Sequence, residues 1–236
     1  MAGRMPVFIG VALGVIFTFG CGQREIHLSS VKASAPAVYC LFDPSCAVTI
    51  IDSSDTPIPL PAQGTGFLRS RVFAGKPGTA AAGLYGYEYR IDLEKAVETT
   101  VDVEGVATKR MPCLRSMTFE FGPVVDTLDY NGDKKTGDLI YVVTKGGPGR
   151  VGLEHAHRWT NKMIFYFDSP ICVGAAGGQG DSTLFFGLVS AQPPRSVTAT
   201  LKETDDLSVT GSRHKSSPAY DVLTLAPQAS TAHGKD

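Results

Sequence analysis

The chain has 236 residues, of which 43% are hydrophobic and 19% are charged, so its composition allows a sizeable core and excludes wholesale disorder. Its formal net charge of −1 excludes the strongly basic surface of a nucleic-acid-binding protein, and we expect no nucleic-acid partner. The 26 glycines and 15 prolines are typical of a fold with many turns and short strands.

The N-terminal segment has the pattern of an export signal. MAGRM supplies a positive charge, and PVFIGVALGVIFTFG then runs without a charge up to Cys21, which is short for a transmembrane helix. The stretch TFGC at 18–21 resembles the lipobox of bacterial lipoproteins in the small residue before its cysteine. The resemblance implies a signal peptide over residues 1–20 and a membrane partner reached through a lipid anchor at Cys21. It places the protein at the bacterial outer membrane or cell surface, or otherwise in the periplasm or medium; an uncleaved anchor or a buried apolar start is the alternative.

The cysteine count agrees with export. If Cys21 is lipidated, an even number remains, which in an oxidising compartment indicates two disulfides among Cys40, Cys46, Cys113 and Cys172. Three pairings are possible, and we favour Cys40–Cys46, which closes the loop CLFDPSC, together with Cys113–Cys172. The alternative is that some of them are buried free thiols.

The elements follow in chain order from a tether and first strand region over residues 21–46. AVTII at 47–51 predicts a strand, and DSSDTPIPLPAQGTG predicts an extended connection. LYGYEYRIDL then alternates, with Tyr85, Tyr87 and Tyr89 on one face and a charged set on the other, which is typical of an antiparallel sheet that packs on one side. The remaining predicted strands are GFLRSRVF, MTFEFG, DLIYVVT, NKMIFYFD, STLFFGLV, RSVTATL and YDVLTL.

These runs predict an all-β fold, an antiparallel β-sandwich of the immunoglobulin-like or jelly-roll-like kind with about nine strands, over residues 47–226. The polar residues 227–236 are predicted to be a disordered tail. The arrangement GLYGYEYRIDL, FEFGPVV and STLFFGLVSAQPPRSVTATL resembles that of secreted bacterial β-domains over about residues 66–201. The resemblance is to a group without an established activity, so it implies the fold and the location only.

The loop DYNGDKKTGD at 129–138 is the strongest candidate for chemistry. Calcium prefers several hard oxygen ligands on a tight turn, and the predicted ligands are Asp129, Asn131, Asp133, the carbonyl of Lys135, and Asp138. The loop differs from an EF-hand, which needs glycine at its sixth position and glutamate at its twelfth. It is more similar to the strand-joining loops of integrin-type propellers, with its closing carboxylate one residue late. The alternative is a plain Asn-Gly turn between strands.

Three weaker patterns remain. His155 and His157 form an H-x-H pair beside Glu154, which could hold zinc or copper if a third ligand joined them; otherwise both are exposed loop residues. Gly180-Asp181-Ser182 resembles the GDS core of a serine-esterase family, but it runs straight into a strand and is better interpreted as a turn. Trp159 and the three tyrosines could form a sugar-stacking platform, although tyrosines on one strand face are more often core.

Three functions are consistent with the sequence. The favoured hypothesis is an exported, lipid-anchored cell-envelope β-sandwich with a binding or structural role, stabilised by calcium, whose partner would be an envelope protein or polysaccharide. The second is an extracytoplasmic hydrolase in which His155 or His157 meets a carboxylate such as Asp138 or Asp181. The third is a carbohydrate-binding module. No residue is predicted to be catalytic, so the sequence favours a non-enzymatic role.

Overall fold

The computed structural model describes residues 25–103, 105–204 and 217–229. The predicted signal peptide, Cys21 and most of the predicted tail therefore lie outside the described residues. No helix among the residues described is long and apolar enough to cross a membrane. The elements are β1 (Ile26–Leu28), β2 (Ser30–Ser34), α1 (Ala35–Tyr39), β3 (Ile50–Ile58), β4 (Gly66–Ala74), β5 (Tyr85–Asp92), β6 (Thr99–Val103), β7 (Val106–Arg110), β8 (Cys113–Glu120), β9 (Ile140–Lys145), β10 (Leu153–Trp159), β11 (Lys162–Cys172), β12 (Phe185–Ser190), β13 (Pro194–Glu203) and β14 (Ala219–Pro227).

Twelve of the strands form two six-stranded sheets that pack against each other. Sheet A has the order β1-β10-β11-β8-β13-β14, and sheet B has the order β2-β9-β12-β5-β4-β3. Neighbouring strands are antiparallel except β2, which is parallel to β9. β6 and β7 form a separate hairpin. This arrangement confirms the predicted all-β antiparallel sandwich.

The strand count differs from the prediction, with 14 strands instead of about nine. Each predicted strand overlaps one in the structure, and the additional ones are β1, β2, β6, β7 and β10. β1 and β2 lie within the region predicted as tether and first strand. Only Ser29 separates them, yet β1 extends sheet A beside β10 and β2 extends sheet B beside β9.

Part of the predicted proline-rich connection is in fact strand β3, so that prediction is wrong up to Ile58. The segment is polar and mostly exposed, and its strand geometry comes from pairing with β4. Pro57 lacks an N–H donor but fits because β3 is the edge strand of sheet B.

The main core lies between the two sheets and is built by inward-facing side chains of alternating strands. Tyr87, Tyr89 and Ile91 of β5 are fully buried, as the alternation of LYGYEYRIDL predicts. Tyr89 packs on Phe119 with ring centroids 4.9 Å apart, and Phe119 stacks on Phe165 at 5.6 Å. Each such large apolar side chain contributes about 1.5–3 kcal/mol by leaving water.

The outer face of sheet B is also covered, which contradicts the prediction that β5 exposes a charged face. Glu88, Arg90 and Asp92 are buried, with 0%, 6% and 8% of their surface exposed. A second hydrophobic cluster explains part of this cover, because α1 and nearby loops pack Val38, Phe42 and other side chains onto the sheet. Gly86 of β5 makes room for it, since a Cβ there would lie 2.3 Å from the Phe73 ring.

Both favoured disulfides are present. Cys40–Cys46 closes the loop that follows α1, and Cys113–Cys172 joins residues that lie directly opposite each other in β8 and β11. The four cysteines predicted to pair are therefore the four that do.

Candidate functional site

The loop 129–138 is folded around the Asp129 carboxylate. Asp129 Oδ1 accepts a hydrogen bond of 2.7 Å from Gly132 N, and Oδ2 accepts one of 2.7 Å from Lys134 N. Burial raises the pKa of Asp129, but these backbone N–H donors outweigh burial and lower it below its usual range. Asn131 Oδ1 and Asp133 Oδ1 likewise accept from the backbone of Asp133 and Lys135. Three of the five predicted ligands, Asp129, Asn131 and Asp133, therefore already accept hydrogen bonds within the loop.

The backbone of this loop shares one property with calcium loops. Its sixth residue, Lys134, has a φ of 66°, the left-handed conformation that EF-hand loops assign to glycine. The Lys135 ammonium lies 3.8 Å from Asp133 Oδ2, which reduces the negative field. Over the described ranges, no hydrogen bond joins Asp138 to the other predicted ligands, and no three His, Cys, Asp or Glu side chains are grouped so that they could hold a metal.

The structure adds a third histidine to the H-x-H pair. His27 of β1 lies directly opposite His157 of β10, with ring centroids 4.0 Å apart, and the His155 ring is 4.9 Å from that of His157. All three rings lie on the outer face of sheet A, and Tyr166 of β11 packs against His155 at 4.6 Å. The sequence interpretation missed His27 because β1 and β10 are far apart along the chain.

These rings contact one another, and they are not among any group of three His, Cys, Asp or Glu side chains of the described residues that could hold a metal. Burial lowers the pKa of His157 below its usual range, and the charge of His27 lowers it further, against an opposing effect of Glu25. His157 Nδ1 is buried and lies 3.3 Å from Glu25 Oε1, without normal hydrogen-bond geometry. The lowered pKa favours the neutral form of the His157 imidazole.

Asp181, one of the two carboxylates of the hydrolase hypothesis, has other partners. Asp181 forms an ion pair with Arg150 and accepts a hydrogen bond from Cys172 N. The acidic groups next to the histidine cluster are instead Glu25 and Glu154. Ser182 of the Gly-Asp-Ser triplet is buried and donates to Glu94 Oε1 at 2.7 Å, so it has a structural partner.

The aromatic residues proposed for sugar stacking do not form one surface. Tyr87 and Tyr89 are buried in the core, where their hydroxyls donate to Gln192 O and Leu225 O, and Tyr85 is half-buried. Trp159 is 47% exposed but belongs to sheet A. The tyrosine row therefore no longer supports carbohydrate binding.

The most unusual electrostatic feature is a buried ion pair on the outer face of sheet B. Glu88 Oε2 accepts hydrogen bonds from Arg71 at 2.7 Å and from the Tyr39 hydroxyl at 3.4 Å. Burial raises the pKa of Glu88, and Arg71 opposes that rise. The Phe185 ring covers the Arg71 guanidinium at 4.0 Å from its centroid. The Tyr141 hydroxyl also faces the carboxyl group, although without normal hydrogen-bond geometry.

Beside this pair lies an open cleft of about 320 Å³ between β3, β4 and the start of β12. Ile50 and Phe185 form its apolar wall, and Asp55, Arg69 and Arg71 supply charges. Arg69 is already paired with Asp92 at 3.1 Å and with Asp55 at 3.8 Å. The cleft therefore offers hydrogen-bonding groups without a strong excess of positive charge. The sequence does not reveal this cleft, because it predicts most of β3 as an extended connection and only Ile50 and Ile51 as strand.

Comparison with known proteins assigns no family to this chain. No protein-family model, no curated protein and no solved structure matches it.

Proposed function

We propose that this chain is an exported, lipid-anchored β-sandwich of the bacterial cell envelope with a binding or structural role. One observation carries the proposal: of the five cysteines, four form two disulfides, and the fifth is Cys21, directly after the apolar N-terminal run. Paired cysteines are typical of oxidising, extracytoplasmic compartments. A single remaining cysteine at the end of a signal-like segment is what lipidation requires.

The binding role has a candidate surface in the cleft beside Arg71. Its apolar wall and paired charges suit a neutral, hydroxyl-rich or peptide ligand better than a phosphate-rich one. An envelope polysaccharide or an envelope protein would fit this chemistry. The hydrolase alternative needs His155 or His157 to meet Asp138 or Asp181, and the contacts of these residues do not favour it.

Calcium at the loop 129–138 is the second part of the proposal. The left-handed backbone at Lys134 and the alternation of Asp129, Asn131 and Asp133 support it. Its role there would be to stiffen a surface loop. A ligand that binds only the folded chain raises stability by mass action, by about 2.7 kcal/mol at a hundredfold excess over its Kd. Thermal unfolding of the non-reduced protein should shift upwards with calcium and return with a chelator, and an unchanged midpoint removes calcium from the proposal.

The anchor is tested by expressing the full chain in a bacterial host and measuring the intact mass of the mature protein. We expect cleavage before Cys21, a mass increase equal to the attached lipid, and recovery in the membrane fraction. The Cys21→Ala variant should lose both the lipid mass and the membrane fraction. A Cys40→Ala/Cys46→Ala variant is the matched control, because it removes two other cysteines and should keep the lipid. A mature chain without lipid on Cys21 rejects the anchor.

A further inference from the structure

The chain enters the described domain at one end of sheet A. Ile26, the first residue of β1, lies opposite Arg158 at the end of β10, next to the turn that leads from Trp159 to Lys162. Five residue steps separate Ile26 from Cys21. Even fully extended, five residues span no more than about 17 Å. A lipid on Cys21 would therefore hold this end of the domain within about 17 Å of the bilayer surface.

The same end exposes apolar and basic side chains. Ile26 is 55% exposed and Trp159 is 47% exposed, and both are among the few large hydrophobic residues that the described chain leaves open to solvent. Arg158 and Lys162 lie beside them. Tryptophan is enriched at membrane interfaces because its ring is apolar and its N–H is polar, while Arg and Lys bury their stems and keep their charges at the headgroups.

We propose that this tether end, defined by Ile26, Arg158, Trp159 and Lys162, lies against the bilayer in which the anchor is inserted. The inference rests on the proposed lipidation of Cys21. The lipid bilayer is the partner that covers this surface, because the short tether brings the bilayer to these side chains whatever else the protein binds.

The charged side chains at this end indicate how strongly the domain by itself is attracted to anionic lipids. Two acidic residues, Glu25 and Glu120, lie at the same end as Arg158 and Lys162. Glu120 is 3.6 Å from Arg195, and Glu25 is next to His157. The net attraction of this end to anionic lipids is therefore modest. A free domain would bind weakly. The tether compensates, because linking two sites raises the effective concentration of the second contact to the millimolar range. Docking of the tether end on the bilayer thus depends on the lipid anchor, and it fixes the orientation of the domain relative to the bilayer.

The opposite end of sheet A provides a matched control. β8 runs from Cys113 to Glu120, its last residue pairs with Lys162, and the β6–β7 hairpin precedes its first residue. Eight residues at the usual strand rise separate the two ends by roughly 25 Å. Val106 of the hairpin is 63% exposed and should stay in water.

Trp159 is the sole tryptophan of the sequence, so its fluorescence reports on the tether end directly. The full lipidated chain is reconstituted into phosphatidylcholine–phosphatidylglycerol vesicles, with and without brominated phosphatidylcholine, which quenches tryptophans at the interface. We expect Trp159 emission to be weaker in the brominated vesicles than in the vesicles without bromine. In the latter, the emission maximum should lie at a shorter wavelength than that of the Cys21→Ala chain in detergent-free buffer. A Trp159→Phe/Val106→Trp chain carries its tryptophan at the far end and should show neither change.

Intact mass separates the possible failures. If Cys21 carries lipid and Trp159 is not quenched, or if the tryptophan at position 106 is quenched equally, the docked orientation is overturned and the anchor stands. If Cys21 carries no lipid, the anchor and the docked orientation both fall. An Ile26→Ser/Lys162→Ser chain, which keeps Trp159, should be quenched less than the parent; equal quenching overturns the assignment of these side chains to the contact.

Discussion

The pairing of Arg71 with Glu88 should be one of the most sensitive points of the fold. Glu88 is fully buried, and its neighbours supply hydrogen bonds only to one carboxylate oxygen. Replacing Arg71 by methionine keeps the apolar stem beneath Phe185 but leaves the carboxylate without its cation. Removing one partner of a buried ion pair costs about 3–5 kcal/mol.

The reverse change should cost less. Glu88→Gln removes the charge and keeps the shape, and the Arg71 side chain, with 28% exposure, can still reach water. We expect a loss of about 1–3 kcal/mol, the cost of a weakened buried hydrogen bond. The double variant should be more stable than the sum of the single losses predicts, with a coupling energy of about 2 kcal/mol. Urea unfolding of the non-reduced proteins, followed by far-ultraviolet circular dichroism, measures all four corners of the cycle.

The pH dependence gives a second readout with a defined sign. Burial raises the pKa of Glu88 and Arg71 lowers it, so Arg71→Met raises it further. A folded-state pKa above the unfolded value of about 4.3 means that the folded chain binds the proton more tightly. Stability is then lost as pH rises through the folded pKa. The Arg71→Met variant should therefore lose stability relative to the Arg71→Met/Glu88→Gln variant as the pH rises above the unfolded value of about 4.3.

Two results would refute this reasoning. One is an Arg71→Met variant that unfolds no earlier than Glu88→Gln. The other is a difference between Arg71→Met and the double variant that stays constant with pH, because an unpaired buried carboxylate must make that difference depend on pH.

Three further outcomes are expected. Removing the Cys113–Cys172 disulfide, whose partners are 59 positions apart, should lower the free energy of unfolding by about 4 kcal/mol through loop entropy. Removing Cys40–Cys46, with a separation of 6, should lower it by about 2 kcal/mol. Equal urea midpoints of the two variants would contradict this. The parent chain should lose stability as pH falls from about 7 to about 5, because the lowered folded pKa of His157 makes the unfolded chain bind the proton more tightly. The His157→Gln variant should lose less stability over that range. Superimposable profiles of stability against pH would argue against this. Asp129→Ala should lower the melting temperature, since two backbone N–H groups lose their acceptor. It should also abolish any rise of the melting temperature caused by calcium, because Asp129 is a predicted ligand. A calcium-induced rise that persists in calorimetry places the ion elsewhere.

The sequence predicts the strands whose pattern is local. Tyr87 and Tyr89 alternate with polar residues, and they face the core as expected. The short spacing of Cys40 and Cys46 made their pairing the favoured one. The 129–138 loop was expected between strands, and it does connect β8 to β9.

What the sequence did not predict depends on contacts between distant segments. Glu88 is buried because α1 and its loops pack on β5, and no periodicity in those loops announces it. His27 joins His157 because β1 pairs with β10, a pairing that three residues of β1 cannot signal by themselves. β3 is polar because it is an edge strand, so its hydrogen bonds to β4, and not its side chains, define it.

The single-residue crossing at Ser29 has a consequence for the order of folding. The segment on either side of it closes one edge of each sheet, but its partners come late in the chain: Ser29 bonds Leu139, 110 positions away, and β1 pairs with β10 beyond that. Closing such long loops is slow because chain entropy is lost before the contacts form. In a chain that emerges from its N-terminus, these first residues must stay without their strand partners until residues 140–159 have followed. Although these residues emerge first, their strand contacts form only after β9 and β10 have emerged, and until then the outer edges of those two strands stay open.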